Sequence, residues 1–451
     1  MKKYRSVSFL LLIVLLFSSC ILPAGALEDP NLQCRNAILY DANYGEVLYD
    51  MGAHEKAYPA SITKVMTALL VLEAVDAGQF SLDTPITAED SALRGMTADA
   101  STANIKVGET LSVEELLYCL LLPSANEAAN ILAVAVDGTI EDFVAHMNRR
   151  AGELGCQGTH FVNPHGLHDD EHYTTAYDIA LFMAEALKYD TFRTIIGTAS
   201  HTVPATNLSG ERLFYNTNAL ISNLYRYGYV YDKCIGGKTG STGEAGLCLV
   251  AAAEDGDTTL ISVVLGSDDI TVNGEVKKGN LYESGRLLKW GFDNFERVTI
   301  TRGSEPVDKV SVTLSRQADE VNVRPEGSIT RTLPKDIDLD LIETEINLFS
   351  PVVEAPVTEG QWLGTMKLYY EDELYGTLDL VAANSVERSE LLYKKAQFLA
   401  FFQHSGVKLL MVLVLLVAAF ILLKLLVFRK RRRYRAGVGG SRRRNYRGTR
   451  R

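Results

Sequence analysis

Residues 409–423 contain no polar side chain, and this run sets the first limit on what the chain can be. Extended to 406–428 the segment spans 23 residues. At 1.5 Å per helical residue that is about 34 Å, enough to cross the hydrocarbon core of a bilayer. Lys408 and Lys424 flank it and can snorkel to the interfaces. Residues 429–451 follow with twelve Lys or Arg and no acid. Positive charge stays inside, so the reading is a transmembrane helix over 406–428 with a basic cytoplasmic tail, and a body outside the cell. Just upstream, in 386–405, Leu391, Leu392, Phe398, Leu399 and Phe402 fall near one helical face. That segment suits an amphipathic juxtamembrane helix or a solvated stalk.

The other end agrees with export. Lys2, Lys3 and Arg5 precede an apolar stretch over 7–17, and Ala24-Gly25-Ala26 offers a small-x-small cleavage site. Residues 1–26 therefore read as a signal peptide, with Leu27 as the first mature residue. Phe17-Ser18-Ser19-Cys20 offers a rival lipoprotein reading, in which Phe is unusual at the first position.

With the basic tail set aside, the body is strongly acidic, because the whole chain carries 56 Asp plus Glu against 45 Lys plus Arg. A nucleic-acid partner for the body is excluded on that ground, since phosphate binding needs a basic face. The six cysteines lie far apart with no CxxC, so neither a zinc finger nor a disulfide scaffold is expected.

The body divides by texture. Over 27–295 helical and strand patterns mix. Strands at 37–40 and 47–49 flank Asn43-Tyr44-Gly45, and an apolar helix runs from Pro59 towards Val75. Ser112-x-x-Glu115 is a capping box for the next helix, and Pro123 breaks that helix before another begins at Glu127. Strands at 246–253 and 258–266 and a closing helix at 286–295 complete this part. Over 296–385 short alternating strands at 309–314, 320–324, 344–348, 363–370 and 376–381 predict a separate small all-β domain.

Three local patterns carry chemistry. Ser61-Ile62-Thr63-Lys64 puts a hydroxyl and an amine on one helical face, where a partly desolvated Lys64 can take the proton of Ser61. Alone this spacing means little, since Ser405-Gly406-Val407-Lys408 has it too at the membrane edge. Ser124-Ala125-Asn126 sits at a helix–helix break, where a plain N-cap is the bland alternative. Gly236-Gly237-Lys238-Thr239-Gly240 precedes a strand run and lacks the rest of a phosphate loop.

In this order the three patterns form a set known from β-lactamases and penicillin-binding proteins. The chain resembles the D-alanyl-D-alanine carboxypeptidase family, the low-molecular-mass penicillin-binding proteins. The wider context fits: residues 60–68, 123–129, the loop Asn163-Pro164-His165-Gly166-Leu167, and Leu287-Leu288-Lys289-Trp290-Gly291-Phe292. The resemblance implies an α/β (α+β), β-lactamase/transpeptidase-like catalytic domain, with an antiparallel sheet flanked by helices. It covers about 30–295, and the β-rich stand-off domain and anchor match more loosely.

The resemblance also implies roles. Ser61 would be the acylated nucleophile, Lys64 its base and Ser124 a proton relay. Asn126 would hold substrate amides. Lys238 and Thr239, in the strand with Gly240, would hold the terminal carboxylate. The backbone N–H groups of Ser61 and Ser241 would form the oxyanion hole. No cofactor is implied. The expected substrates are peptidoglycan stem peptides, and the expected covalent inhibitors are β-lactams. Two departures stand out: Ser241 follows the Lys-Thr-Gly where His is frequent, and Thr217 stands where some relatives carry Arg. The second leaves open how the carboxylate is held.

A competing site is the histidine group His160, His165, His168 and His172, with Asp169, Asp170 and Glu171 between them. It has no His-Glu-x-x-His and no familiar ligand spacing, so no metal is expected. The reading is a membrane-tethered serine D-Ala-D-Ala carboxypeptidase. The alternatives are a transpeptidase, endopeptidase or β-lactamase of the same fold, and a non-catalytic wall-binding or β-lactam-sensing protein.

Overall fold

The computed structural model describes residues 27–93, 100–370 and 373–435. The signal-peptide segment 1–26 and the tail beyond 435 lie outside the described residues. The chain forms two units. One runs through Val298 and takes back Thr330–Ile337; the other holds Thr299–Ile329 and the chain from Asp338 onward. This differs from a single cut between 295 and 296. Residues 330–337 are tied to the first unit by their own backbone N–H groups: Lys335 N donates to Asn294 O, and Thr332 N to the Glu46 side-chain carboxylate oxygen Oε2.

The first unit is built on five strands: β1 (Asn36–Asp41), β2 (Glu46–Met51), β3 (Cys234–Thr242), β4 (Gly246–Asp255) and β5 (Thr258–Ser267). They pair antiparallel in the order β2-β1-β5-β4-β3, which leaves β3 at an edge. Successive side chains of a strand point to opposite faces. Ala37, Leu39, Leu249, Ala251 and Ala253 therefore meet one apolar cluster, and Ile38, Tyr40, Val250 and Ala252 meet the other. Both faces are buried, which is why β4 and β5 read as near-continuous apolar runs.

Helices cover both faces. A 3-10 turn, Ala60–Thr63, leads into α1 (Lys64–Asp76), whose residues are buried almost all round, as its apolar sequence requires. Around it lie α2 (Val113–Leu121), α3 (Asn126–Asp137) and α4 (Ala176–Ala186). The closing helix α5 (Gly279–Asn294) starts seven residues before the expected 286. Asn280, Glu283 and Ser284 are buried there, so its first turns carry no apolar period. Half of the capping box is present: Ser112 Oγ accepts from Glu115 N at 3.2 Å. The Glu115 carboxylate instead meets His201 Nε2 at 2.9 Å.

The second unit holds a six-stranded sheet made of β6 (Asp308–Thr313), β7 (Glu320–Pro325), β8 (Glu343–Leu348), β9 (Val352–Glu354), β10 (Trp362–Tyr370) and β11 (Glu373–Ala382). Their order is β8-β10-β11-β7-β6-β9. The three-residue β9 is too short to leave a periodic signal, and it pairs parallel to β6. Helix α6 (Glu390–Gln403) follows, with Leu391, Phe398, Leu399 and Phe401 exposed. The last helix, α7, is Ser405–Arg435. Its stretch Ser405–Phe428 is, among the described residues, the one helix long and apolar enough to cross a membrane.

Candidate active site

The first unit brings the three sequence patterns together. A cleft of about 350 Å³ is lined by Ser61, Ser124, Thr239, Gly240 and Ser241, with Thr217 and Ser101 beside them. Ser61 sits in the 3-10 turn that precedes α1, while Lys64 opens the α-helix itself. The turn is drawn tight by its neighbours. Gly166 has φ +87°, and a Cβ there would lie 1.8 Å from the Ala60 carbonyl oxygen, so only glycine lets the 163–167 loop pack on the nucleophile turn. A Cβ on Gly240 would lie 2.8 Å from Pro59 O and 3.1 Å from Ser61 N. That glycine lets edge strand β3 approach the same turn. An edge strand keeps outward backbone N–H groups unpaired, the donor type an oxyanion hole needs.

Lys64 is fully buried. Its Nζ lies 2.9 Å from Ser61 Oγ, 2.7 Å from Asn126 Oδ1 and 2.6 Å from the His165 carbonyl oxygen. Burial, and then the charge of Lys238, push its pKa well below the usual lysine value. A neutral amine keeps two N–H donors and one lone pair. The carbonyl oxygens of Asn126 and His165 can only accept, so they take the two donors. The lone pair is left facing the hydroxyl of Ser61.

Ser124 has φ +67°, a left-handed backbone that costs a non-glycine residue about 1–3 kcal/mol. Its hydroxyl is buried and, among the described residues, has no hydrogen-bond partner. Strain and an unpaired hydroxyl at one cleft residue mark a group arranged for an incoming ligand. Asn126 starts α3, and its amide oxygen is held by Lys64.

Lys238 is buried, with its Nζ donating to Thr239 O at 2.9 Å. Desolvation lowers its pKa to about 7. Thr239 faces the cleft, with its Oγ1 2.6 Å from Thr217 Oγ1.

The histidines are spent on structure. His172 Nδ1 accepts from Val162 N, so its Nε2–H donates to Thr63 Oγ1 at 2.8 Å; that hydroxyl donates to Ala60 O. His165 Nδ1 accepts from Leu167 N. Burial lowers the pKa of His165 to about 3 and of His172 to about 4, so both rings are neutral. Among the described residues no three His, Cys, Asp or Glu side chains gather as metal ligands. The five described cysteines, Cys34, Cys119, Cys156, Cys234 and Cys248, are free thiols.

Sequence reasoning missed three contributors. The His165 carbonyl that holds Lys64 lies 101 positions away in the chain. Ser101 and the pair Tyr225 and Arg226 also line the cleft, from segments without any periodic signal.

Comparison with known proteins gives this geometry its context. Residues 24–269 match the family model for D-alanyl-D-alanine carboxypeptidase. The chain belongs to the D-alanyl-D-alanine carboxypeptidase family. It is a serine-type peptidase of the low-molecular-mass penicillin-binding proteins. Residues 295–388 match the model for the C-terminal domain of penicillin-binding protein 5. A D-alanyl-D-alanine carboxypeptidase, DacF, of Bacillus subtilis is 32% identical over 83% of this chain and 89% of its own length. The structure of penicillin-binding protein 5 from Haemophilus influenzae superposes with a TM-score of 0.64 at 27% identity, covering 80% of this chain and all of that one. The Streptomyces K15 DD-transpeptidase, at 30% identity and a TM-score of 0.52, covers 59% of this chain and 99% of its own. Family membership carries serine DD-carboxypeptidase function with it.

Proposed function

We propose that this carboxypeptidase removes the terminal D-alanine from peptidoglycan stem peptides through an acyl-enzyme on Ser61. The observation that carries the reading is the buried, charge-suppressed Lys64 amine 2.9 Å from Ser61 Oγ. Ser61 Oγ attacks the carbonyl of the penultimate D-alanine, and Lys64 takes the hydroxyl proton. The N–H groups of Ser61 and Ser241 receive the oxyanion. Ser124, with its unpaired hydroxyl, passes a proton to the departing D-alanine amine. Asn126 positions substrate amides. Water then hydrolyses the ester, and β-lactams acylate the same Ser61.

Thr239 contacts the terminal carboxylate, with Lys238 as a buried cation behind it. Replacing Lys238 by Gln removes a charge-assisted interaction worth about 1.5–3 kcal/mol, or about 10- to 100-fold in kcat/KM. That loss is expected on a peptide ending in free D-Ala-D-Ala and much less on its C-terminal amide. The pH dependence has a defined sign. Lys238 loses its proton as pH rises through about 7, so KM for the acid rises above that pH while KM for the amide does not. Steady-state kinetics on the two peptides checks both points, and equal losses on both would assign Lys238 to the fold or to proton transfer.

For the rest of the chain the proposal is export by residues 1–26, a catalytic domain over 27–295, a β-rich stand-off domain over 296–385, an amphipathic segment at 386–405, a span at 406–428 and a cytoplasmic tail at 429–451. The one helix of membrane-crossing length among the described residues supports an anchor, and the basic run after it supports the orientation. Protease added to intact cells is expected to release nearly the whole body and spare a C-terminal tag. A tag reached from outside without permeabilisation would refute this topology.

The test of the reaction is hydrolysis by the detergent-solubilised full chain, with and without chelator. Activity that chelator leaves intact supports the serine route; loss restored by zinc would return attention to the histidines.

A further inference from the structure

The resemblance implies a carboxylate-binding charge at Lys238, which is buried with its Nζ donating to Thr239 O. Two other cations line the cleft, Lys278 and Arg226. Lys278 is already paired with Asp269 at 2.8 Å, and neighbouring Lys277 with Glu275 at 2.7 Å. Arg226 is different. Among the described residues no carboxylate meets its guanidinium, which lies 5.2 Å from the centre of the Tyr225 ring.

Its position is also fixed to the right part of the fold. Arg226 belongs to the loop between Thr217 and β3, which carries Thr239. Three residues on, Tyr229 OH accepts a hydrogen bond from Lys278 N at 2.8 Å. The loop is thereby moored to the segment Lys278, Asn280 and Leu281, which lines the same cleft. Thr217 and Thr239, whose hydroxyls are 2.6 Å apart, and Arg226 thus line one cleft of about 350 Å³. A guanidinium presents paired N–H donors that match a carboxylate, and it stays charged at every working pH. The acidic body adds weight to a local cation, because its long-range field repels an anionic chain end.

We propose that Arg226 is a second cation for the substrate's C-terminal carboxylate, added from the cleft side to the buried Lys238 and acting with the hydroxyls of Thr239 and Thr217. This answers how the carboxylate is held in a chain with Thr at 217, and it rests on the carboxypeptidase reading above. Arg226 is then a specificity-determining residue that does not take part in proton transfer.

The experiment compares kcat/KM of the full chain on one peptide ending in D-Ala-D-Ala acid and on its C-terminal amide. In Arg226→Gln the acid-to-amide ratio is expected to fall by about 10- to 100-fold. The fall is expected to be the same on either side of pH 7, unlike the effect of Lys238. Arg226→Lys is expected to recover part of the ratio, since it restores charge without the fork. Thermal unfolding confirms that each variant is folded. A ratio unchanged in Arg226→Gln, or an equal fall on both peptides, overturns the inference while leaving the hydrolase reading intact. A wild-type protein inert towards both peptides and towards penicillin overturns the hydrolase reading, and this inference with it.

Discussion

Replacing Lys64 by Gln is expected to lower both peptide hydrolysis and penicillin acylation by on the order of 10³- to 10⁴-fold. The size follows from the geometry. Lys64 is the only side chain whose nitrogen reaches Ser61 Oγ among the described contacts, and it does so from a dry site where its charge is disfavoured. Glutamine can still donate to Asn126 Oδ1 and to the His165 carbonyl, so the buried polar network keeps partners and the fold survives. What it lacks is a basic lone pair. The loss is therefore expected to be equal on free-acid and amide peptides, in contrast to Lys238→Gln and Arg226→Gln, because a base is needed whatever the chain end carries. In the wild type the same group sets an acid limb. As pH falls and Lys64 gains its proton, the lone pair facing Ser61 disappears and kcat/KM declines. Lys64→Gln with near-normal acylation in a folded protein would remove Lys64 from the base role.

Ser61→Ala is expected to abolish covalent labelling by a fluorescent penicillin altogether, since no acyl-enzyme can form without the attacking oxygen. Ser61 has no compensating neighbour of equal standing. Ser101, Ser124 and Ser241 share the cleft, but among the described residues no hydrogen bond ties any of their hydroxyls to an amine. The fold should be undisturbed, because the methyl group fits where the hydroxymethyl was. Thermal unfolding separates this result from simple loss of structure. Labelling at full strength in Ser61→Ala, with the label mapped to Ser124, would reassign the nucleophile.

How far the site could be read from residues alone follows from the range of each interaction. Ser61 and Lys64 are three apart, so helical geometry almost dictates their meeting, and Ser124 and Asn126 announce themselves by breaking a helix. Lys238-Thr239-Gly240 is legible as a motif, whereas its residues read only as preceding a strand run, because glycines hide the strand Cys234–Thr242 that holds them. The burial of Lys238 was not legible, since it depends on how β3 lies against the nucleophile turn. The His165 carbonyl was beyond reach for the same reason: a backbone oxygen carries no residue type to notice. Arg226 lies in a tyrosine-rich loop without periodicity, and only the mooring of Tyr229 to Lys278 brings it to the cleft. The histidine group shows the opposite hazard. Four rings within thirteen residues suggest a metal, yet His172 is spent on fixing Thr63 and the nucleophile turn. In the fold, both faces of the five-stranded sheet were foreshadowed by apolar runs, whereas Thr330–Ile337 joins the first unit through backbone hydrogen bonds that no pattern encodes.

The measurement that bears most directly on the account is the mass analysis of products from a stem pentapeptide ending in D-Ala-D-Ala, incubated with the full chain in detergent. One tetrapeptide and one free D-alanine per turnover are expected, with a transient acyl-enzyme mapped to Ser61 and no product from Ser61→Ala. An uncut pentapeptide, or cleavage that persists in Ser61→Ala, would contradict it.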